Sequence, residues 1–254
     1  AEVVALGLIL ATNPLLVYYS RFMRNDVLVA AVAVVALGAA LRWIATGRFR
    51  YPLLAGVALA CGFAAKENAV VYVACFAGAA ALVVDHRLFA RTTAGESALD
   101  VGYDWAKSVY GRALSWTGGG RRAALVRLLG GPAAFAVSFL AVVVFFYAPR
   151  PDLWVALGSP ARLPDLVGTA TLGTWEQLVD SWLAGSHQSH DYLPYLYDFL
   201  ETLVFGAPVL LLLAAAGFVA DGYLDGGRSR DLVAFATYWG VVSIVGYPIA
   251  PAIP

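Results

Sequence analysis

The sequence predicts an all-α fold, a polytopic transmembrane helical bundle, and three observations carry that prediction. Hydrophobic residues make up 61% of the 254 residues and charged residues only 13%, where a soluble domain carries about a quarter charged. The mean hydropathy is +0.73. The apolar residues fall in long uncharged runs, and a helix needs about 20 of them to cross the hydrocarbon core. A soluble enzyme, a nucleic-acid binder and a disordered chain are all excluded. Seventeen basic residues balance 17 acidic ones, so no bulk attraction to polyanions is implied. Cys61 and Cys75 lie inside apolar runs. They read as small hydrophobes, without a disulfide framework or zinc-ligand spacing.

About seven spans are expected, over residues 1–20, 27–46, 51–65, 68–84, 128–149, 202–220 and 232–249. The run from Tyr51 to Val84 is the instructive one. As one helix it would measure about 50 Å at 1.5 Å per residue, against a core of about 30 Å. Lys66 and Glu67 interrupt it near the middle. Two helices turning back at that pair satisfy both the length and the charge. The chain is expected to form a single transmembrane domain, 1–254. It begins without Met, already in an apolar run, and reads as a segment of a longer membrane domain.

Orientation follows from the basic residues of the loops. With the start of the chain inside, the inner loops hold Arg42, Arg48, Arg50, Arg87, Arg91, Lys107, Arg112, Arg121, Arg122, Arg127, Arg228 and Arg230. The outer segments hold only Arg21, Arg24, Lys66, Arg150 and Arg162. That asymmetry faces the charged turns outward.

Two loops are long enough for structure of their own. In the inner loop, 85–127, Trp105, Val109, Ala113 and Trp116 fall at helical spacing with Lys107 and Arg112 off that face, the pattern of a helix on anionic lipid heads. In the outer loop, 150–201, Trp175, Leu178, Val179, Trp182 and Leu183 form one apolar stripe. Thr174 and Gln177 have capping-box spacing at its start. An amphipathic surface helix is expected there, roofing whatever faces outward.

Polar residues collect at three outer positions: Tyr18 to Asp26, Lys66-Glu67-Asn68, and Ser186 to Tyr192. Each has a plain structural alternative. Arg21 and Arg24 can snorkel to lipid phosphates, and Asp26 suits a helix N-terminus. Lys66 and Glu67 can pair with each other. His187, His190 and Asp191 have weak metal-ligand spacing and equally suit a wetted loop. A membrane turn is more cheaply made from Gly, Ser or Asn, however, so the charges suggest a site. Fixed cations stabilise a departing phosphate, and a nearby carboxylate can orient a hydroxyl or act as a base. At an outer membrane face the natural phosphate-bearing substrate is lipid-linked.

The stretch Asn13-Pro14, Tyr18-Tyr19-Ser20-Arg21-Phe22 and Asp26, an apolar helix, then Gly62-Phe63-Ala64-Ala65-Lys66-Glu67, resembles the protein-mannosyltransferase-like branch of the GT-C glycosyltransferases. Within it the chain looks closest to the archaeal flippase activity-associated proteins. Gly246-Tyr247-Pro248-Ile249 and the run His190 to Tyr197 also fit that group. The resemblance implies a multi-span cell-membrane enzyme with an extracellular site, using a polyprenyl (dolichyl) phosphate-linked sugar in protein or lipid glycosylation. It implies that Arg21, Arg24 and Lys66 contact the donor phosphate and that Asp26 and Glu67 are the acidic, catalytic positions. Tyr19, His187, His190 and Asp191 are further candidate substrate-binding residues. The family's principal catalytic carboxylate, in its first outer loop, has no counterpart here, so the chain is expected to correspond to the family from about its third span. The alternative function is a lipid-linked-sugar flippase or a flippase accessory subunit without transferase activity. The expected partners are that donor, a glycan, protein or lipid acceptor, and membrane lipids. No cofactor motif is present, and a divalent-metal requirement is left open.

Overall fold

The computed structural model describes residues 2–21, 25–66, 69–93, 95–180, 191–224, 231–246 and 248, and among them every regular element is a helix. The chain divides into two compact units. One comprises Leu28–Ala69 and Ala94–Gly185; the other comprises Ala1–Val27, Val70–Thr93 and Ser186–Pro254.

The first unit is built on α3 (Asn25–Thr46), α4 (Arg50–Ala65), α6 (Ala98–Ser115) and α7 (Arg121–Tyr147). Small residues let the backbones approach, as membrane helix packing requires. A Cβ at Gly56 of α4 would stand 2.5 Å from the Phe135 carbonyl oxygen of α7 and would also strike Ser138 Oγ. Phe63 meets Phe139 edge-on at 5.7 Å. Along this seam Phe49 abuts Gly130, Gly56 abuts Phe135, and Phe63 receives the Tyr147 hydroxyl. The numbers rise together, so α4 and α7 are parallel. α3 runs against them, with Val32 on Gly62 and Trp43 on Gly131. It stops at Gly47, whose φ of +64° is a left-handed cap.

α6 starts at Ser97, whose side chain accepts from the Leu99 N–H at 3.2 Å. Its end carries Trp116 onto Trp43, with ring centroids 5.8 Å apart. Arg127 Nη1 donates to the Trp116 carbonyl at 2.6 Å across the following turn. Here the structure corrects the expected lipid-facing stripe. Ala113 is fully buried and Trp116 is packed against protein, so only Trp105 of that stripe is exposed.

The expected outer loop is mostly helical. α8 (Arg150–Gly158), a 3-10 turn (Pro160–Arg162), α9 (Leu163–Gly168), a π-turn (Thr169–Gly173) and α10 (Thr174–Val179) follow one another. Ala148, Leu153, Ala156, Leu166 and Ala170 form their own small core with Val144. The backbone is helical without a break from Leu163 through Val179. α10 begins at Thr174 directly after the π-turn, and the side chains of the capping-box expectation, Thr174 and Gln177, lie outside the described residues. Trp175 is exposed, as a surface helix requires, while Trp182 and Leu183 lie outside the described residues.

In the second unit, α1 (Glu2–Thr12) and α2 (Pro14–Arg21) are separate helices. Pro14 offers no N–H to continue α1. Buried Asn13 caps α2 instead, its Oδ1 accepting from the N–H groups of Leu15 at 2.9 Å and Leu16 at 3.3 Å. α5 (Ala69–Thr93) and α13 (Asp231–Gly246) are antiparallel. Arg87 pairs with Asp231 at one end, Phe76 meets Trp239 at 4.9 Å, and Gly246 approaches Cys75 at the other. α11 (Tyr192–Gly206) and α12 (Pro208–Leu224) break at Ala207 and bend by 92°.

Among the described residues three helices, α3, α5 and α7, are long and apolar enough to cross a membrane, or four spans if the bent pair counts as one. The seven expected spans are thus not all reproduced as through-going helices. The expected span 1–20 is cut at Asn13-Pro14, and 202–220 at Pro208. α4 and α13 have 16 residues each, about 24 Å at 1.5 Å per residue, short of a core of about 30 Å.

Candidate functional site

Lys66 is the C-cap of α4, with an extended backbone at φ −163° and ψ 137°. Its N–H donates to the Gly62 carbonyl at 3.0 Å, and its own carbonyl accepts the Ala69 N–H at 3.1 Å. The side chain is half-buried. A cation here sits at the negative end of the helix dipole. The Tyr147 hydroxyl, from the end of the parallel α7, donates to the Phe63 carbonyl at 2.7 Å and ties down the turn that carries Lys66. Arg150 caps the same α7 end: its Nη1 donates to the Phe145 carbonyl at 2.9 Å and its guanidinium lies 4.9 Å over the Phe145 ring. Parallel packing thus brings a second cation to the end of the unit where Lys66 stands. Neither Tyr147 nor Arg150 stood out in the sequence as a site residue. The only available signal was that a Tyr and an Arg close an otherwise apolar helix.

The first charged turn belongs to the other unit. Arg21 is the exposed last residue of α2, and half-exposed Tyr19 meets Tyr18 edge-on at 5.4 Å. Asp26 occupies the first turn of α3, where the dipole favours a carboxylate. It is half-buried and within electrostatic reach of Tyr72 in the first turn of α5. Asp191 is exposed at the N-cap of α11, where its side chain makes no capping hydrogen bond. Next to it, the Tyr192 hydroxyl donates to the Val245 carbonyl at 2.9 Å, tying α11 to the end of α13. Arg24, Glu67, His187 and His190 lie outside the described residues.

The same unit holds an open, mostly apolar cleft of about 690 Å³ between α12 and α13, lined by Leu213, Gly217, Val233, Ala236, Thr237 and the buried carboxylate of Asp221. None of the candidate site residues lines this cleft.

A helical membrane protein is the class these features define. A family model described as dolichyl-phosphate-mannose-protein mannosyltransferase matches residues 1–95. The matched stretch contains both charged turns, Arg21 to Asp26 and Lys66-Glu67, and supports a membrane glycosyltransferase of the GT-C type. No curated protein and no solved structure matches the chain.

Proposed function

We propose that the chain is part of a GT-C glycosyltransferase that transfers a sugar from a polyprenyl phosphate to an acceptor at the outer membrane face. One observation carries the reading. Within the residues the family model matches, two turns between apolar helices carry clustered charge, Arg21 to Asp26 and Lys66-Glu67, and Lys66 sits in the second as a half-buried helix cap. The family's description names a dolichyl-phosphate-linked mannose and a protein acceptor, which supplies the donor class adopted for this chain.

In this reading Arg21, Arg24 and Lys66 neutralise the donor phosphate. Asp26 and Glu67 orient the acceptor hydroxyl or take its proton, and Tyr19, His187, His190 and Asp191 line the approach. The chain forms a segment of a single membrane domain. Leaving-group charge grows toward the transition state, so fixed cations accelerate transfer more than they tighten ground-state binding.

Replacing Lys66 by Met keeps the stem's bulk and removes the charge. Transfer from a polyprenyl-phosphate sugar should fall on the order of a hundredfold, with a smaller loss of donor affinity. Unchanged transfer, together with a stability loss rescued by adding Glu67→Gln, would make the turn a structural ion pair and overturn the assignment. Donor binding and translocation without any transfer would favour the flippase reading instead.

A further inference from the structure

We infer that the end of the first unit opposite Lys66 is a docking surface for an anionic phospholipid bilayer, with α6 lying in the headgroup plane. Tertiary contacts assemble this end from two distant segments. The Trp116 ring lies against Gly47, where a Cβ would meet it at 2.5 Å, Phe49 abuts Gly130, and Arg127 bonds the Trp116 carbonyl. These contacts gather Arg42, Arg48 and Arg50 with Lys107, Arg112, Arg121, Arg122 and Arg127. Neither 41–51 nor 105–127 contains an acidic residue, and the exposed Asp100 and Asp104 in the first half of α6 leave the eight cations in excess. All of these cations except Arg127 are exposed. A cluster of basic side chains beside a membrane span is complementary to anionic headgroups.

The second observation is the outward face of α6. Val101 and Ala113 are buried, and the helix continues into Trp116, which packs on Trp43. Opposite Val101 stand Leu99, 84% exposed, and Tyr103, 70% exposed, while Ala113, on the same side as Leu99, is buried where the helix ends against the protein. Ala106 and Tyr110 continue that stripe at i+7 and i+11. Trp105 is exposed beside it. An uncovered apolar stripe of this kind needs a partner. The bilayer is the partner within reach, because the Thr117–Gly120 turn leads directly into α7, which is itself long and apolar enough to span. An apolar stripe flanked by cations is the pattern of a helix lying in the membrane interface. The stripe differs from the one that sequence spacing suggested, of which the fold packs Ala113 and Trp116 against protein.

The test is a spin label at residue 103 of the whole chain, in a background with Cys61 and Cys75 replaced by Ala. The chain is reconstituted in phosphatidylcholine bilayers with or without phosphatidylglycerol. With phosphatidylglycerol, the label should become accessible to oxygen and shielded from an aqueous nickel chelate. A label at Ser108, on another face, should stay accessible to the chelate. The shielding should weaken in about 1 M salt, where the Debye length falls to about 3 Å. Each lost cation near the surface should weaken it roughly fivefold, the equivalent of about 1 kcal/mol. The combined change Lys107→Gln, Arg112→Gln, Arg121→Gln and Arg122→Gln should therefore abolish the lipid dependence. Arg121→Lys with Arg122→Lys should retain it, which separates charge loss from misfolding. Equal aqueous exposure in both bilayers would overturn the proposal. Shielding that persists in detergent and grows with protein concentration would overturn it too, by showing that a second copy covers the stripe.

Discussion

At Phe63 the last turn of α4 presents one of the carbonyls that a helix end leaves without a partner in its own ladder. The Tyr147 hydroxyl satisfies it from 84 residues away. That bond matters to function only through Lys66, three residues on, whose position depends on how α4 ends. Removing it by Tyr147→Phe keeps the ring and deletes a hydrogen bond worth about 1 kcal/mol net. The thermal midpoint in detergent should drop modestly. Sugar transfer should drop by more than that stability loss accounts for, because the cap bearing Lys66 is no longer held. A midpoint shift with full activity would make Tyr147 purely structural. Asp26 is the residue whose environment suits either of its readings. A carboxylate in a first helical turn is stabilised by the dipole whether or not it also meets substrate, so only its effect on turnover decides between them.

Among the elements, the α4–α7 seam depends on Gly56. The Phe135 carbonyl oxygen that faces it belongs to a helix backbone and cannot swing away as a side chain could. Gly56→Val should therefore destabilise the protein by about 1–3 kcal/mol, the usual range for overpacking. Gly38 of α3 is the matched control, since a Cβ there meets nothing within 4 Å. Gly38→Ala should be neutral or stabilising by up to about 1 kcal/mol through helix propensity. Thermal unfolding of the two variants in the same detergent checks both, and equal losses would mean the seam is looser than its geometry shows. The break at Asn13-Pro14 works in the opposite sense. There a missing N–H and an Asn side chain end one helix and start the next, whatever the apolar content of the run.

On the scale of the whole molecule, alternating crossings require α4 and α7 to be parallel and α5 and α13 antiparallel, and both pairs run that way inside their own units. The absolute orientation rests on the basic-residue asymmetry. Cysteines at Gly158 and Gly111 test it, both exposed positions where a Cβ meets nothing within 4 Å. In a background without Cys61 and Cys75, an impermeant thiol reagent on intact cells should label residue 158 and spare residue 111. The reverse pattern would invert the topology and place the charged turns on the inner face.

Composition and run length alone determined that this is an all-helical membrane chain. Burying so much apolar surface with so few charges leaves no soluble alternative, and backbone groups in lipid must be satisfied within helices. The turn at Lys66 was equally legible, because one helix from Tyr51 to Val84 would overrun the bilayer. Hydropathy does not register where a helix stops for lack of a single N–H, so the cuts before Pro14 and Pro208 needed the fold. Periodicity shows that α6 has an apolar face but not which of two such faces is used. Trp116 had to meet Trp43 before Leu99 and Tyr103 could be assigned to the outside. Tyr147 was invisible for the same reason: its partner, the Phe63 carbonyl, is supplied by parallel packing of helices far apart in sequence, and that packing, not its own local contacts with Phe145, brings Arg150 to the Lys66 end.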